Sequence, residues 1–356
     1  MQDEIESKLE TSLLIRFARG CLKMIVAIII MAIGATYGIG SYTFFGEVFS
    51  EHGQGVSGLM LVSFLAGIPI SIGILVGFLA TRQTPENILK SSCLSSLSVI
   101  LFVFSAGAIL REGVICIVMA IPIFLVLAVM GGILGALMSN FGGSHSSKLL
   151  SVTIVLPFLF APLERKLSDV TAYQTITQTI YVTAPPEIVW HHINFPLNIR
   201  PSELQNGLAY HIGAPYPIEA RTLEGRVGGL RKLRWQRGVE FEAIISTWEL
   251  NKHIAWNYKF GSKSFPSGSF DEHIVIGGHY FNLESTAYTL TPIGNGTQLS
   301  IEVNTSVTTN FNWYADFLAR IIVNDAERAF LQFYKNRSES KNKVRAIGWV
   351  NCSAVS

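Results

Sequence analysis

In the stretch FNWYADFLARIIVNDAERAFLQFYKNRSE (311–339), Asp325 and Arg328 stand three residues apart, close enough to pair across one helical turn. Both project from an otherwise apolar side of the helix. There they suit either the polar head of a ligand or an ion pair that closes the helix onto what lies beneath it. A buried pair need not stabilise, because desolvation offsets attraction. A second group, Asp271, Glu272, His273 and His279, sits in one long loop. A histidine beside a carboxylate can move protons or hold a metal. A solvated polar loop has the same composition and is the plainer reading.

Other residues qualify less well. His191 and His192 are adjacent on a helix, point about 100° apart and cannot face one site together. Glu242 and Glu249 interrupt an apolar stretch without forming a usable acid/base pair. Trp235, Trp256, Tyr258, Tyr280, Tyr288 and Phe317 suit an apolar pocket wall or an ordinary core, which draw on the same residue types. No G-x-S-x-G, H-E-x-x-H or P-loop occurs, which weighs against a hydrolase or NTPase. The four cysteines are scattered, so no metal and no cofactor is expected. A net charge of +2, dispersed along the chain, gives no reason to expect nucleic acid as a partner.

The elements that position these residues divide the chain in two. Residues 24–163 carry eight ionic side chains, whereas residues 164–356 carry 19 Lys/Arg and 17 Asp/Glu. Four apolar runs, 24–45, 57–80, 92–110 and 114–138, reach the length of about 20 residues needed to cross a bilayer. The first lacks a small-residue cleavage site and reads as an anchor. Repeated glycines predict close helix packing, and no ionisable side chain falls mid-span, which disfavours an ion pathway. A fifth run, Leu149–Leu163, is about 22 Å long as a helix and contains Pro157 and Pro162. Snorkelling by Lys148, Arg165 and Lys166 extends it, giving five spans in preference to four. Arg16, Arg19 and Lys23 place the N-terminus inside. Five spans then put the soluble half on the non-cytoplasmic side. Residues 1–23 read as an amphipathic helix, 164–174 as a linker and 341–356 as a tail.

From 175 the period changes to that of strands. TITQTIYV alternates Ile176, Gln178, Ile180 and Val182 on one face, with a polar position turned inward. APPEIVWHHI opens a short helix at proline. Strand-like runs follow at 217–224, 230–237, 240–250, 253–260, 280–291 and 297–307, divided by turns such as NK (251–252) and PIGNG (292–296). Their alternation predicts an antiparallel sheet. Loop 261–279 is long enough to be a mouth or lid. The helix 311–339 places Tyr314, Phe317, Leu318, Ile321, Ile322, Ala329 and Phe333 on one side and Asp316, Arg320, Asn324 and Glu327 on the other. The first side is expected to face the core.

The segments ITQTIYVTAPPEIVWHHI, GVEFEAIISTWELNKHIAWNYKF and YTLTPIGNGTQLSIEVNTSV, followed by the helix, resemble in that order the START-like superfamily of polyketide cyclases/dehydrases and lipid transport proteins (SRPBCC). The resemblance covers about 175–337. The apolar half resembles that of bacterial members anchored in the inner membrane. The fold implied is an all-α transmembrane bundle of four to five spans plus an α+β helix-grip domain over 175–340. In such a domain a curved antiparallel sheet wraps a long C-terminal helix around a pocket. The function implied is a membrane-anchored protein holding a small hydrophobic or lipid-like molecule; an enzyme of cyclase or isomerase type, or an interaction domain without ligand, are the alternatives. On this reading the ligand-binding residues are Asp325, Arg328, His273, His279, Trp256, Tyr258, Tyr280 and Phe317, and the partners are that molecule and the lipid bilayer.

Overall fold

A computed structural model describes residues 2–49, 57–83, 87–110, 114–141, 146–204, 207–269 and 275–353, with the side chains described within these ranges from 15 to 340 except Ser57 and Leu110. His273, Asp271 and Glu272 lie outside the described residues. The chain forms two compact units that divide between Ser168 and Asp169.

The first unit is helical. Among the described residues, five helices are long and apolar enough to cross a bilayer: Ile15–Val48, Val62–Gln83, Ile88–Ile109, Val114–Phe141 and Ser146–Glu164. The first belongs to α1 (Gln2–Val48), one continuous helix that also takes in the N-terminal segment. The second comprises α2 (Val62–Leu65) and α3 (Gly67–Gln83), and the third is α4 (Ile88–Ser105) with the turn after it. The others are α5 (Val114–Phe141) and α6 (Ser146–Glu164). Recruiting Ser146 and Lys148 makes α6 longer than its apolar run, and both prolines lie inside it. Pro157 is tolerated where a small neighbour meets it: a Cβ on Gly67 would lie 2.9 Å from its ring. α3 and α5 approach more closely still. A Cβ on Gly77 would come within 2.3 Å of the Gly132 carbonyl oxygen. Serines then bond across helices, Ser95 Oγ to Gly73 O at 3.1 Å and Ser98 Oγ to Met31 O at 2.8 Å, as expected where water is absent. The Glu164 carboxylate accepts from the Val62 amide, from Ser63 N at 2.8 Å and from Ser63 Oγ at 2.6 Å, satisfying amides at the start of α2 that have no partner within the helix.

The second unit is a seven-stranded antiparallel sheet in the order β1-β7-β6-β5-β4-β3-β2. The strands are β1 (Val170–Val182), β2 (Pro217–Thr222), β3 (Leu230–Trp235), β4 (Glu240–Glu249), β5 (His253–Lys259), β6 (Phe281–Ile293) and β7 (Gly296–Thr309). Between β1 and β2 lie α7 (Pro186–Asn194) and α8 (Leu208–His211); α9 (Asn312–Ser353) ends the chain. β1 starts at Val170, so the connection from α6 is shorter than the linker expected from the sequence. The tight turns use residues that accept a left-handed backbone, Asn251 (φ 61°) between β4 and β5 and Gly294 (φ 57°) between β6 and β7. The sheet, α7 and α9 enclose one core containing Ile176, Val189, Trp190, Ile254, Trp256, Tyr288, Leu299, Phe333 and Tyr334. This is the helix-grip arrangement, a sheet wrapped about a long C-terminal helix.

The face of α9 agrees with the expectation at Ala329 and Phe333, both buried, and differs from it elsewhere. Ala315, Ala319, Val323, Glu327, Leu331, Tyr334 and Ser338 form the buried seam, whereas Phe317 and Ile321 are exposed. Small side chains let the helix axis approach β1 and β7, and that approach sets the rotation in place of the largest apolar stripe. Glu327, expected on the solvent side, is therefore 1% exposed.

Candidate functional site

The interior of the second unit contains a cation. On β3, alternation turns Arg231, Leu233 and Trp235 inward and Lys232 and Arg234 outward. Arg231 is 1% exposed. Its guanidinium lies over the Trp256 ring, 4.4 Å from the centroid, a favourable cation–π geometry. Nη2 donates to the Ile193 carbonyl at 2.7 Å, and Nη1 donates to Thr222 Oγ1 at 2.8 Å and to the Asn194 carbonyl at 3.5 Å. Thr222 in turn donates to Asn194 Oδ1 at 2.8 Å. These carbonyls end α7, where the helix dipole offers partial negative charge. They hold the guanidinium in place without neutralising it. Nε has no hydrogen-bond partner, and no carboxylate pairs with Arg231 among the described residues.

Around this cation stand aromatic rings and neutral hydroxyls. Trp256 packs on Tyr288 (ring centroids 5.6 Å apart), and Tyr288 meets Tyr334 of α9 edge to face at 5.6 Å. The Tyr258 hydroxyl bonds Thr286 Oγ1 at 2.8 Å. Burial raises the pKa of Tyr258, Tyr288 and Tyr334, so all three stay protonated. Burial pulls Arg231 down from its ordinary value while the tyrosines oppose that shift; a guanidinium still remains charged. A fixed cation among neutral hydroxyls and aromatic faces can receive an electron-rich oxygen, with an apolar body against the rings.

The residues anticipated from sequence are not gathered into one site. Trp256 and Tyr258 belong to this interior, buried and half-buried respectively. Asp325 and Arg328 form no ion pair among the described residues: the Asp325 carboxylate accepts from the Leu208 amide at the start of α8, and Arg328 is exposed. The cause is the helix rotation, which carries both away from the core. Phe317 is 58% exposed for the same reason. His279 is exposed, its Nε2 2.8 Å from Asp169 Oδ2, and Tyr280 beside it is half-buried. Neither His279 nor Asp325, the described acid/base candidates, reaches the interior. Arg231 was missed because LRKLRW reads as a charged surface strand. Placing Leu233 and Trp235 inward puts Arg231 inward as well, and that inference was available. A second buried ionisable group, Glu327, lies on the α9 seam against β1 and β7. Burial, then the nearby Glu302 charge, pushes its carboxyl up to about 8.

No family model matches the sequence, and no curated protein matches it. Solved structures do match part of it. The ZhuI aromatase/cyclase from Streptomyces sp. R1128 is 16% identical, covering 50% of this chain and 99% of its own, at a TM-score of 0.31. Ara h 8.0201 is 13% identical over 47% of this chain and 98% of its own, at 0.28. The Aha1 dimer from Colwellia psychrerythraea is 18% identical over 47% and 96%, at 0.27. At these identities and scores the likenesses decide nothing about activity. The helix-grip assignment rests on the strand order and the placement of α9.

Proposed function

We propose that this chain is a membrane-anchored binding protein. Its apolar helices hold it in a lipid bilayer, and its helix-grip domain holds a small hydrophobic or lipid-like molecule whose electron-rich head meets Arg231. The observation that carries this reading is the isolation of the Arg231 charge. A buried cation without a counter-ion is costly, and an acidic or strongly polar ligand head would offset that cost. Trp256, Tyr258, Tyr288 and Tyr334 supply the wall for its apolar part. Tethering the domain at a bilayer raises the effective concentration of a lipid-derived molecule.

The test is native mass spectrometry of the full chain released from nanodiscs prepared without delipidation. A discrete adduct is expected on the parent protein and on Tyr173→Ser, an exposed-site control. It should be lost or strongly reduced on Arg231→Met. Repeated preparations of folded protein with no adduct, or an adduct equally abundant on Arg231→Met, would overturn the assignment.

A further inference from the structure

The first turns of α9 invert the usual order of size. Ala315, Ala319 and Val323 face the core, while Trp313, Phe317 and Ile321 are 74%, 58% and 42% exposed. At 100° per residue the three exposed side chains lie within an arc of about 100° that also holds Arg320, Asn324 and Arg328. Both arginines are exposed. Of the acidic residues nearby, Asp325 accepts from the Leu208 amide, Glu327 is buried, and Asp316 is half-buried with its Oδ1 atom buried. The arc therefore presents large apolar groups together with two exposed arginines. That is the composition of a helix face that lies in a membrane interface.

The covalent path from α6 limits how far the start of β1 can lie from the end of α6. The start of α9 is fastened to the start of β1, with Asn312 Nδ2 donating to the Val170 carbonyl at 2.5 Å and Asn310 Nδ2 donating to Asp169 Oδ1 at 2.8 Å. β1 begins after only five residues (165–169) beyond the end of α6, a reach of roughly 20 Å when extended. Leu167 and Val170 on this path are themselves exposed.

We infer that the Trp313–Phe317–Ile321 face of α9 docks in the headgroup–acyl boundary of a bilayer containing anionic lipids, with Arg320 and Arg328 at the headgroups. Docking would fix the orientation of the helix-grip domain towards the lipid surface. The inference rests on the proposed membrane anchoring, so the experiment separates the two.

Single spin labels are placed at Phe317→Cys and, separately, at Val126→Cys on α5, in full-length protein with its four cysteines replaced by serine. The protein is reconstituted in nanodiscs of phosphatidylcholine with or without phosphatidylglycerol. Collision with oxygen marks lipid, and collision with a soluble nickel chelate marks water. Both labels are expected to favour oxygen, Val126 the more strongly. The oxygen-to-nickel ratio at Phe317 should rise severalfold when phosphatidylglycerol is present. Arg320→Glu/Arg328→Glu, two exposed positions, should abolish that rise. A Val126 label in lipid with a Phe317 label in water overturns docking and leaves anchoring intact. A Phe317 label shielded from both reagents means that protein, such as a second copy, covers the face, and also overturns it. A Val126 label in water overturns the anchoring and the docking together.

Discussion

Glu327 shows how burial at a single residue becomes a dependence on pH. Its carboxyl ordinarily titrates near 4.5 and is pushed up to about 8 in the folded chain. Below 4.5 both folded and unfolded forms are protonated, and the residue costs nothing electrostatically. As pH rises from there, the unfolded chain releases the proton while the folded chain keeps it, so stability falls until about 8 and is level above. At pH 7 the penalty has an upper limit of roughly 3.5 kcal/mol, at about 1.4 kcal/mol per unit. Glu327→Gln keeps the shape and removes the titration. The variant should therefore unfold at a higher temperature than the parent at pH 7, by an amount that shrinks towards nothing near pH 4.5. All six tryptophans lie at or beyond Trp190, so intrinsic fluorescence follows this unit selectively. A constant difference across that range would show that the carboxyl is solvated. Arg231 is the complementary case. The α7 carbonyls and the Trp256 ring support its charge, and what they leave unmatched is the basis for assigning it a ligand.

At the scale of elements, α9 is held by more than its seam. Arg337 makes a two-pronged contact with Glu203, Nε to Oε1 and Nη2 to Oε2 both at 2.8 Å, and donates to the carbonyls of Leu197 and Asn198. Its guanidinium also stacks on Phe333, 4.5 Å from the ring centroid. Arg337 first, burial opposing, holds the Glu203 carboxyl below its ordinary range. A lysine keeps the charge and loses the fork, so Arg337→Lys should destabilise the unit by about 1–2 kcal/mol. Hydrogen exchange should speed up first across 197–204; unchanged protection there would mean that the loop is held otherwise. The sequence displayed the elements themselves well. Strands β2 to β7 fall within a few residues of where alternation and turn residues predict them, and β1 starts five residues earlier, because a half-buried strand must alternate and a tight turn must use residues such as Asn251 or Gly294. What alternation could not supply was the rotation of α9. Periodicity finds the largest apolar stripe, but Ala315 and Ala319 show that close approach selects small residues for the core side. From that one error followed the misplacement of Phe317, Asp325, Arg328 and Glu327. Arg231 was legible from its neighbours on β3, although its charge argued for the surface.

For the whole molecule, the proposed anchoring makes the number of crossings decide which side of the membrane the helix-grip domain would occupy. That number depends on α6. A helix of 19 residues is about 28 Å long, close to the ~30 Å hydrocarbon thickness. Lys148 at its start and Arg165 just beyond its end can reach the two interfaces by snorkelling. Pro157 would weaken such a helix in isolation, but it packs against Gly67 of α3, as a helix inside a bundle does and a helix left in water has no reason to do. Tyr37 Oη donating to the Ile154 carbonyl at 2.7 Å and Ser71 Oγ donating to the Thr153 carbonyl at 3.1 Å add polar contacts to α6 from α1 and α3. These contacts favour five crossings, an odd number, which would place the N-terminal residues and the domain on opposite faces. Single cysteines at Ser7 and at exposed Lys252, in a cysteine-free chain, test this with a membrane-impermeant maleimide applied to sealed vesicles of one orientation. One site is expected to react before the vesicles are opened and the other only afterwards. Reaction of both together would mean four crossings with α6 lying along one surface. The short path from α6 to β1 would then have to rise from that surface in place of emerging from the bilayer.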